Sequence, residues 1–424
     1  MKIGYLASLY PAPSHTFIQR EILELESLGV DIARFSVRKP RPDELLDETA
    51  RVEAAKTRYL LPPPIFALIA AFIWLMARRL GLGLAVLRDA VGPASGWRAK
   101  LKWIAYFVEA VVLAHWLHAE EIAHLHCHFG NAGSNTAWLA ARLAKVGFSL
   151  TFHGIDLDEP IPFRHRQKLA DARFAVCISS YGQGLLRANI APGDAGKVVV
   201  IRCGFPVPEV ERIQPPPDAG RLICVARLSE EKGHRVLLDA LQLLAQREVD
   251  FHCTLVGGGP LAEPIAAAVL AQGLSDRVTL AGPVPNARVV EMIGQSDISV
   301  LASFGEGIPI ALLESLAQQR PVVATNVGGI AELVVDGQTG LLVAAHDPIA
   351  LADALETMIV DRELAHRLAE AGRLRVARQH DPKQAARDAL ELFQRHTGQQ
   401  RQRSANHPMV DRTGQVEHAQ HNRP

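Results

Sequence analysis

Residues 2–37 read KIGYLASLYPAPSHTFIQREILELESLGVDIARFSV. Lys2 to Leu9 is an apolar run of strand length, Phe17 to Leu28 carries apolar residues at helical spacing, and Val30 to Val37 is a second strand-length run. Gly29 stands where a helix commonly ends on a residue of positive φ. Strand, helix and strand in that order predict a parallel pair with a right-handed crossover, the first unit of a doubly wound α/β domain. In the turn Tyr10-Pro11-Ala12-Pro13-Ser14-His15-Thr16-Phe17, Ser14 or Thr16 is placed to cap the helix and leave backbone N–H groups facing outward.

The alternation continues through the chain. Helices are predicted over Pro64–Arg88, Trp97–Ala119 and Asn135–Ala144, and strands over Ile122–His128, Ser149–His153 and Phe174–Ser179, with Ser179 or Ser180 capping a following helix. Residues 1–204 are therefore expected to form one Rossmann-like domain with a helical insertion near 64–119. Residues 205–220 hold the proline-rich run Phe-Pro-Val-Pro-Glu-Val-Glu-Arg-Ile-Gln-Pro-Pro-Pro-Asp-Ala, a linker by composition. Strands at Arg221–Ala226, Phe251–Val256, Val278–Ala281, Ile298–Leu301 and Pro321–Thr325 alternate with helices, so residues 221–380 read as a second doubly wound domain. A last helix is expected within 381–396. Residues 397–424 are polar and poor in large apolar side chains, the composition of a disordered tail.

A chain of 424 residues is long enough for two cores, and 48% hydrophobic with 21% charged residues excludes wholesale disorder. Lys plus Arg balances Asp plus Glu at 45 each, so no global field favours nucleic acid, and no nucleic-acid partner is expected. Five widely spaced cysteines without a C-x-x-C pair fit a reducing compartment. Met1 to Ala7 runs straight into a strand-like segment that breaks at Pro11, too short for a secretion signal; a cytoplasmic location is expected. The longest apolar run, Ile65 to Ala77, falls short of the roughly 20 residues a spanning helix needs. From Pro64 to Trp103, Arg78, Arg79, Arg88, Arg98, Lys100 and Lys102 face one acid, Asp89, among Trp74, Trp97 and many aliphatics. Two readings stand level: a helix pair lying peripherally on an anionic membrane, and a buried hairpin with a solvated basic edge.

The residues suited to chemistry follow strand ends. Arg227 comes just past one strand and Lys232 near the next helix start, two cations able to grip a diphosphate, or simply a charged loop. Leu255-Val256-Gly257-Gly258-Gly259-Pro260 is a turn that lets backbone approach a ligand. Gly305-Glu306-Gly307-Ile308-Pro309-Ile310-Ala311-Leu312-Leu313-Glu314 sets one carboxylate in a loop and the other in the helix that Pro309 should open. Such a pair suits sugar and ribose hydroxyls, and equally an acidic turn before an amphipathic helix. Ala324 to Glu332 is a further glycine turn, with Glu332 read as structural. Parallel strands place these turns at one sheet edge, where such folds bind ligands. In the first half, Thr151-Phe152-His153-Gly154-Ile155-Asp156 follows a strand; His153 could meet a sugar, and Asp156 could orient it or meet an acceptor. Arg164, His165, Arg166 and Lys168 could meet an acceptor phosphate or form a solvated face. His124, His126 and His128 alternate on a strand with no carboxylate evident beside them, and no metal site is expected. Neither a Walker motif nor Gly-x-Gly-x-x-Gly after the first strand is present, which weakens ATPase and nicotinamide readings.

At these residues the chain resembles the retaining glycosyltransferase family four, whose members have the GT-B fold of two Rossmann-like domains facing a cleft. Arg227 to Gly233 matches the family's Arg-Leu…Lys-Gly segment, and Glu306 to Glu314 its Glu-x7-Glu motif. His153 sits at the family's cleft histidine, and Tyr10 to Phe17 looks like the turn of exopolysaccharide enzymes of the colanic-acid type. The resemblance, from Met1 to about His396, implies transfer of a sugar from a UDP- or GDP-sugar to a glycan acceptor, lipid-linked or free. It implies that Arg227 and Lys232 hold the diphosphate, Glu306 and His153 the sugar and Glu314 the ribose, with Gly257, Gly307, Ile308, Pro309 and Ile310 lining the donor site. Ser14, Thr16 and Asp156 would lie on the acceptor side, no metal or other cofactor would be needed, and the last helix would cross back onto the first domain. Two departures touch the acceptor side: many relatives have a glycine pair in the first turn and a basic residue in place of Ile155. A sugar-nucleotide epimerase of the same fold and a non-catalytic nucleotide-sugar-binding subunit are the competing readings.

Overall fold

Strand residues that are buried on both faces belong inside a sheet covered on both sides. Lys2–Leu9 (β1), Asp31–Arg38 (β2), Thr57–Leu61 (β3), His124–His128 (β4), Gly147–Phe152 (β5), Phe174–Cys177 (β6) and Val198–Val200 (β7) form such a sheet, wholly parallel, in the order β3-β2-β1-β4-β5-β6-β7. A second parallel sheet holds Arg221–Val225 (β8), His252–Val256 (β9), Val278–Gly282 (β10), Ile298–Leu301 (β11), Val322–Thr325 (β12) and Leu341–Val343 (β13), ordered β10-β9-β8-β11-β12-β13. Strand order reverses between β1 and β4 in the first sheet and between β8 and β11 in the second. Those reversals open the crevices where doubly wound folds take ligands. This computed structural model describes residues 1–13, 15–157, 164–208 and 220–405, with backbone alone at residue 155 and at 398–405.

The first domain's helices are Thr16–Ser27 (α1), Glu48–Lys56 (α2), Ile65–Arg78 (α3), Leu80–Val91 (α4), Trp97–Ala119 (α5), Ala132–Ala144 (α6), His165–Asp171 (α7) and Ser180–Ala188 (α8). The second domain adds His234–Gln246 (α9), Ala262–Ala271 (α10), Asn286–Gln295 (α11), Ile310–Ala317 (α12), Ile330–Leu333 (α13), Pro348–Val360 (α14) and Arg362–Gln379 (α15), and Pro382–Ala405 (α16) follows. Gly29 ends α1 at φ 84°, and the Ser179 side chain accepts from Gly182 N at the start of α8, both as the sequence indicates. The GT-B architecture is present, including the returning helix. Phe393 on α16 is 1% exposed and packs among Tyr5, Phe174, Ile18 and Ile22 of the first domain.

The structure departs from expectation in four ways. The single helix expected over Pro64–Arg88 is two, α3 and α4, bent by 109°. The two helices pack closely at Gly83, where a Cβ would lie 2.9 Å from Leu75 Cδ1. The short edge strands β3, β7 and β13 carry too few residues for their periodicity to register. Helix α2, capped by Asp47 accepting from Ala50 N at 2.7 Å, has a weakly apolar face. The last helix continues to Ala405 instead of stopping at His396, because the polar tail begins with helix-tolerant Gln and Arg.

The chain passes between domains twice, side by side. Phe205 N donates to His380 O at 2.8 Å, His380 Nδ1 lies 2.9 Å from Cys203 O, and Gly204 backs onto Pro382, where a Cβ would meet Pro382 Cα at 2.2 Å. Linker residues 209–219 lie outside the described residues.

Candidate active site

At the strand-order reversal of the second sheet, two loops are stitched together by backbone. Past β8 the chain makes a short turn over Glu230–Lys232, and Gly233 takes φ 63° to open α9. A Cβ on Gly233 would sit 2.0 Å from Ala302 O, and Phe304 N donates to Glu231 O at 2.8 Å, so only glycine lets the β8 and β11 loops close up. The closure brings Lys232 Nζ to 2.5 Å from Glu306 Oε1, an oxygen that also accepts from Ser303 Oγ at 2.7 Å. Ser303 is itself held by Thr325 Oγ1 on its carbonyl at 2.5 Å. The ion pair is largely shielded, with side-chain exposures of 18% and 10%. Arg227 stands exposed nearby and forms no ion pair with another described residue.

The loop after β12 supports Glu306 from behind. Gly329 N donates to Glu306 O at 3.0 Å, and Cβ atoms at Gly328 and Gly329 would strike the carbonyls of Glu306 and Gly307. Gly307 in turn meets the first domain: a Cβ there would lie 1.9 Å from His153 O, and Gly154, at φ 104°, packs on Gly307 Cα. Lys232, Glu306 and the His153-Gly154 turn therefore converge on one place, the line where the sheets' carboxyl ends face each other. Gly257, at φ 141°, packs against Ala226 O at its edge. Ile308 is buried in the core beneath, and Pro309 is the residue before α12 rather than its first helical position, so Ile310 begins the helix.

Glu314 is elsewhere. It is 2% exposed on the inner face of α12 and accepts from Asn286 Nδ2 at 3.0 Å. Burial raises its carboxyl above the ordinary carboxylate value, offset in part by Asn286 and by the Arg20 guanidinium reaching over from α1.

The first-domain candidates divide. The His153 ring is packed between Phe17 and Phe129, at centroid distances of 4.6 and 4.4 Å, with Nε2 3.1 Å from His128 Nδ1. Burial holds its pKa well below the usual histidine value, so it is a neutral ring. Asp156 turns inward, accepting from Gly130 N at 2.7 Å and His153 N at 2.9 Å, and burial pushes its carboxyl up to about 6. Its oxygens thereby hold together the Gly130 and His153 backbones that shape the turn. Thr16 starts α1 without capping it; His15 is the cap residue and its Nδ1 lies 3.0 Å from Leu9 O. Ser14 lies outside the described residues. Of the basic run, Lys168 is buried, with Nζ donating to Gly130 O and Ser134 Oγ, which removes it from any solvated face.

No carboxylate neighbours the histidines of β4 along the chain, yet Glu21 Oε1 is 3.5 Å from His128 Nε2. Glu21, His126 and His128 bring ligand-type atoms within 4.8 Å of one another. Both ring nitrogens of His126 already meet hydroxyls, Ser149 at 2.7 Å and Thr151 at 2.9 Å, and Tyr5 donates to Glu21 at 2.8 Å, while the buried His128 Nε2 has no hydrogen-bond partner among the described residues. Sequence reasoning also missed Ser303, Asn286 and Arg20, and the contact of His128 with His153. Their partners are 3 to 28 residues away or in the other domain, and only Ser303, three residues before Glu306, carried a local signal.

Residues 209–375 match the family model described as Glycosyl transferases group 1. The chain is a GT-B glycosyltransferase whose second domain is of group 1. Among curated relatives, this glycosyltransferase is 28% identical over 387 residues to the putative colanic acid biosynthesis glycosyltransferase WcaL of Escherichia coli, covering 84% of this chain and 90% of that protein. It is 28% identical over 383 residues to the amylovoran biosynthesis glycosyltransferase AmsK of Erwinia amylovora, again covering 84% and 90%. Among solved structures, Anabaena HepE in complex with UDP and glucose superposes with TM-score 0.69 at 17% identity over 93% of this chain and 99% of that one. Sucrose-phosphate synthase of Thermosynechococcus elongatus gives 0.71 at 19% identity over 96% and 100%. At those identities the likeness is one of fold.

Proposed function

We propose that this glycosyltransferase moves a sugar, with retention of anomeric configuration, from a UDP- or GDP-sugar to a glycan acceptor of an exopolysaccharide precursor, lipid-linked and presented at the cytoplasmic face of the membrane. The observation that carries the reading is the Lys232–Glu306 pair at the second sheet's crevice, set directly against the His153-Gly154 turn of the first domain. WcaL and AmsK, whose names specify colanic acid and amylovoran biosynthesis, support the acceptor class, and the UDP in HepE supports the donor class.

In this reading Lys232 and Arg227 receive the diphosphate, and Glu306 and His153 position the sugar. Glu314 takes the ribose, while the backbone of Gly257 and of Gly307 to Ile310 lines the donor. The C1–O bond to the diphosphate breaks as the acceptor hydroxyl oxygen bonds C1 from the same face, and the hydroxyl proton passes to an oxygen of the departing diphosphate. The main demand is stabilisation of charge on the leaving group, which Lys232, held by Glu306, with Arg227 and the α12 N-terminus, meets electrostatically. Transfer is proposed to need no metal.

The test is release of nucleoside diphosphate from a panel of UDP- and GDP-sugars with lipid-extracted acceptor, with and without chelator. Donor-dependent release that is lost in Glu306→Ala and Lys232→Ala is the expected result. Unchanged activity in both variants would remove the site assignment, conversion of donor without acceptor would indicate an epimerase, and donor binding without turnover a binding subunit.

A further inference from the structure

Helices α3 and α4 and the start of α5 carry an apolar outer surface that no other described residue covers. Ten of the nineteen large apolar side chains that are exposed among the described residues fall within residues 65–104, a concentration the scattered remainder does not approach. On α3 the exposed residues are Ile65, Phe66, Ile69, Ile73 and Met76, with Phe66 at 84%. They lie at helical spacing along one stripe, while Ala71, Trp74 and Leu75 on the opposite face pack into the core. The helix is thus apolar on both sides, and the packing of the domain explains only one.

The charge around this surface has a single sign. Arg78, Arg79, Arg98, Lys100 and Lys102 form no ion pair with another described residue. The one acid between residues 62 and 108, Asp89, is already held by Arg88 and Arg142. Trp97, 68% exposed, stands among these cations at the start of α5 with the Arg98 guanidinium over its ring. An apolar stripe with an aromatic residue and unpaired cations at its border matches the boundary between acyl chains and anionic headgroups. Spanning is excluded for this pair as straight helices: α3 has 14 residues, α4 has 12, and they meet at 109°. A two-fold dimer through the same surface would bring five unpaired cations against their own copies, which argues against a second chain as the occupant.

The surface is also joined to the acceptor side of the cleft. Arg164, the residue before α7, lies with its guanidinium 3.6 Å from the centroid of Trp103 and donates to Asp89 O at 3.2 Å. One residue thereby ties α4 and α5 to the segment that follows His153 and Asp156.

We propose that the outer faces of α3, α4 and the start of α5 dock on an anionic phospholipid bilayer, lying in its interface and holding the first domain's side of the cleft toward membrane-borne acceptor. The benefit to transfer rests on the lipid-linked acceptor proposed above; the docking itself rests on this surface alone.

The experiment is co-sedimentation of the full chain with phosphatidylcholine vesicles and with phosphatidylcholine–phosphatidylglycerol vesicles at low and high salt. Preferential, salt-weakened binding to the anionic vesicles is expected. Phe66→Ser/Ile69→Ser/Ile73→Ser and Arg98→Glu/Lys100→Glu/Lys102→Glu, all at exposed positions, should each lower the partition coefficient about tenfold or more. Circular dichroism and thermal melting verify that both variants fold, and donor binding in the absence of vesicles should be unaltered in both. Absent binding by the unmodified chain, binding indifferent to both variants, or a dimer in sedimentation velocity that Phe66→Ser/Ile69→Ser/Ile73→Ser converts to monomer without changing vesicle binding would overturn the proposal. Loss of donor turnover bears only on the catalytic reading, because vesicle binding is measured without donor.

Discussion

Lys232 Nζ and Glu306 Oε1 stand 2.5 Å apart across the strand-order reversal of the second sheet, which makes the proposed diphosphate ligand and the proposed sugar ligand a single electrostatic unit. A diphosphate entering there meets a cation whose charge is already shared, so Glu306 also tunes how tightly Lys232 grips it. Lys232→Ala should cost about 10²–10³ in kcat/KM, the loss typical when one preorganised partner of a leaving charge is removed. Because the pair is mostly shielded, each single alanine variant should also lose about 1–3 kcal/mol of stability, with the double variant losing less than the sum. Thermal melts and nucleoside diphosphate release on the four members of that cycle check both statements.

Glu314 is expected to behave differently. Its carboxylate is buried against Asn286 rather than beside Lys232, so its removal leaves the pair that faces the reacting bond intact. Glu314→Gln should raise donor KM about tenfold or more, the scale of a lost hydrogen bond to a charged group, with kcat nearly unchanged. Calorimetric titration with UDP and with GDP separates this from a catalytic effect; a fall in kcat with unaltered nucleotide affinity would contradict it.

These two glutamates also mark what the sequence could disclose. The Arg227 to Gly233 and Glu306 to Glu314 segments were readable because each is a local strand-end pattern, and parallel topology forces such ends to one edge. What joins them is not local. The 2.0 Å clearance that demands glycine at position 233 belongs to Ala302, 69 residues on, and the Asn286 amide reaches Glu314 across two helices. His153 follows a strand end that the sequence marks, but its ring orientation depends on His128 and on Phe17 and Phe129 from separate elements. Periodicity likewise identified α3 as apolar and left open which face the core would take.

Glu332 clasps the two domains. Its carboxylate accepts from Ser180 N at 2.9 Å and Tyr181 N at 2.6 Å, capping α8 of the first domain from α13 of the second, with Arg202 at 3.4 Å. Glu332→Ala removes all three contacts without touching Lys232 or Glu306. Stability should fall by about 1 kcal/mol, since water can replace a partly exposed cap. Small-angle scattering should show a more open pair of domains, with KM for acceptor raised more than KM for donor; an unchanged scattering curve would count against the clasp.

Acid should destabilise the fold below about pH 6.5. Burial lowers His15, His165, His234 and His380 to about 4 and His124 to about 3, and holds His126 and His153 well below the ordinary value. Between the usual histidine value and these lowered ones, the unfolded chain binds the extra protons, so stability present above pH 6.5 is lost as pH falls toward 4. Asp156, raised to about 6, and Glu314 act in the opposite sense over part of that window, but they are fewer. Melting temperature recorded from pH 7 to pH 4 should decline throughout. A flat profile would mean that the histidines are not buried neutral.

Gly154 offers a way to separate donor binding from transfer. It belongs to the first domain, takes φ 104°, and packs its α-carbon on Gly307 so closely that a Cβ would lie 2.5 Å from Gly307 Cα and 2.8 Å from Gly307 N. Neither atom is the end of a flexible side chain, so Gly154→Ala must either shift the His153 turn or push the second domain's loop away. The added strain of a side chain at that φ is about 1–3 kcal/mol. Where the turn yields, the contacts of Glu306 with Lys232 and Ser303, and of Glu314 with Asn286, all within the other domain, are kept. UDP or GDP affinity should therefore change little, whereas transfer should fall by about 10² or more, the order expected when reacting groups are misplaced by an ångström. A variant that lost nucleotide affinity and transfer in equal measure would show that the two sides of the cleft are not separable in this way.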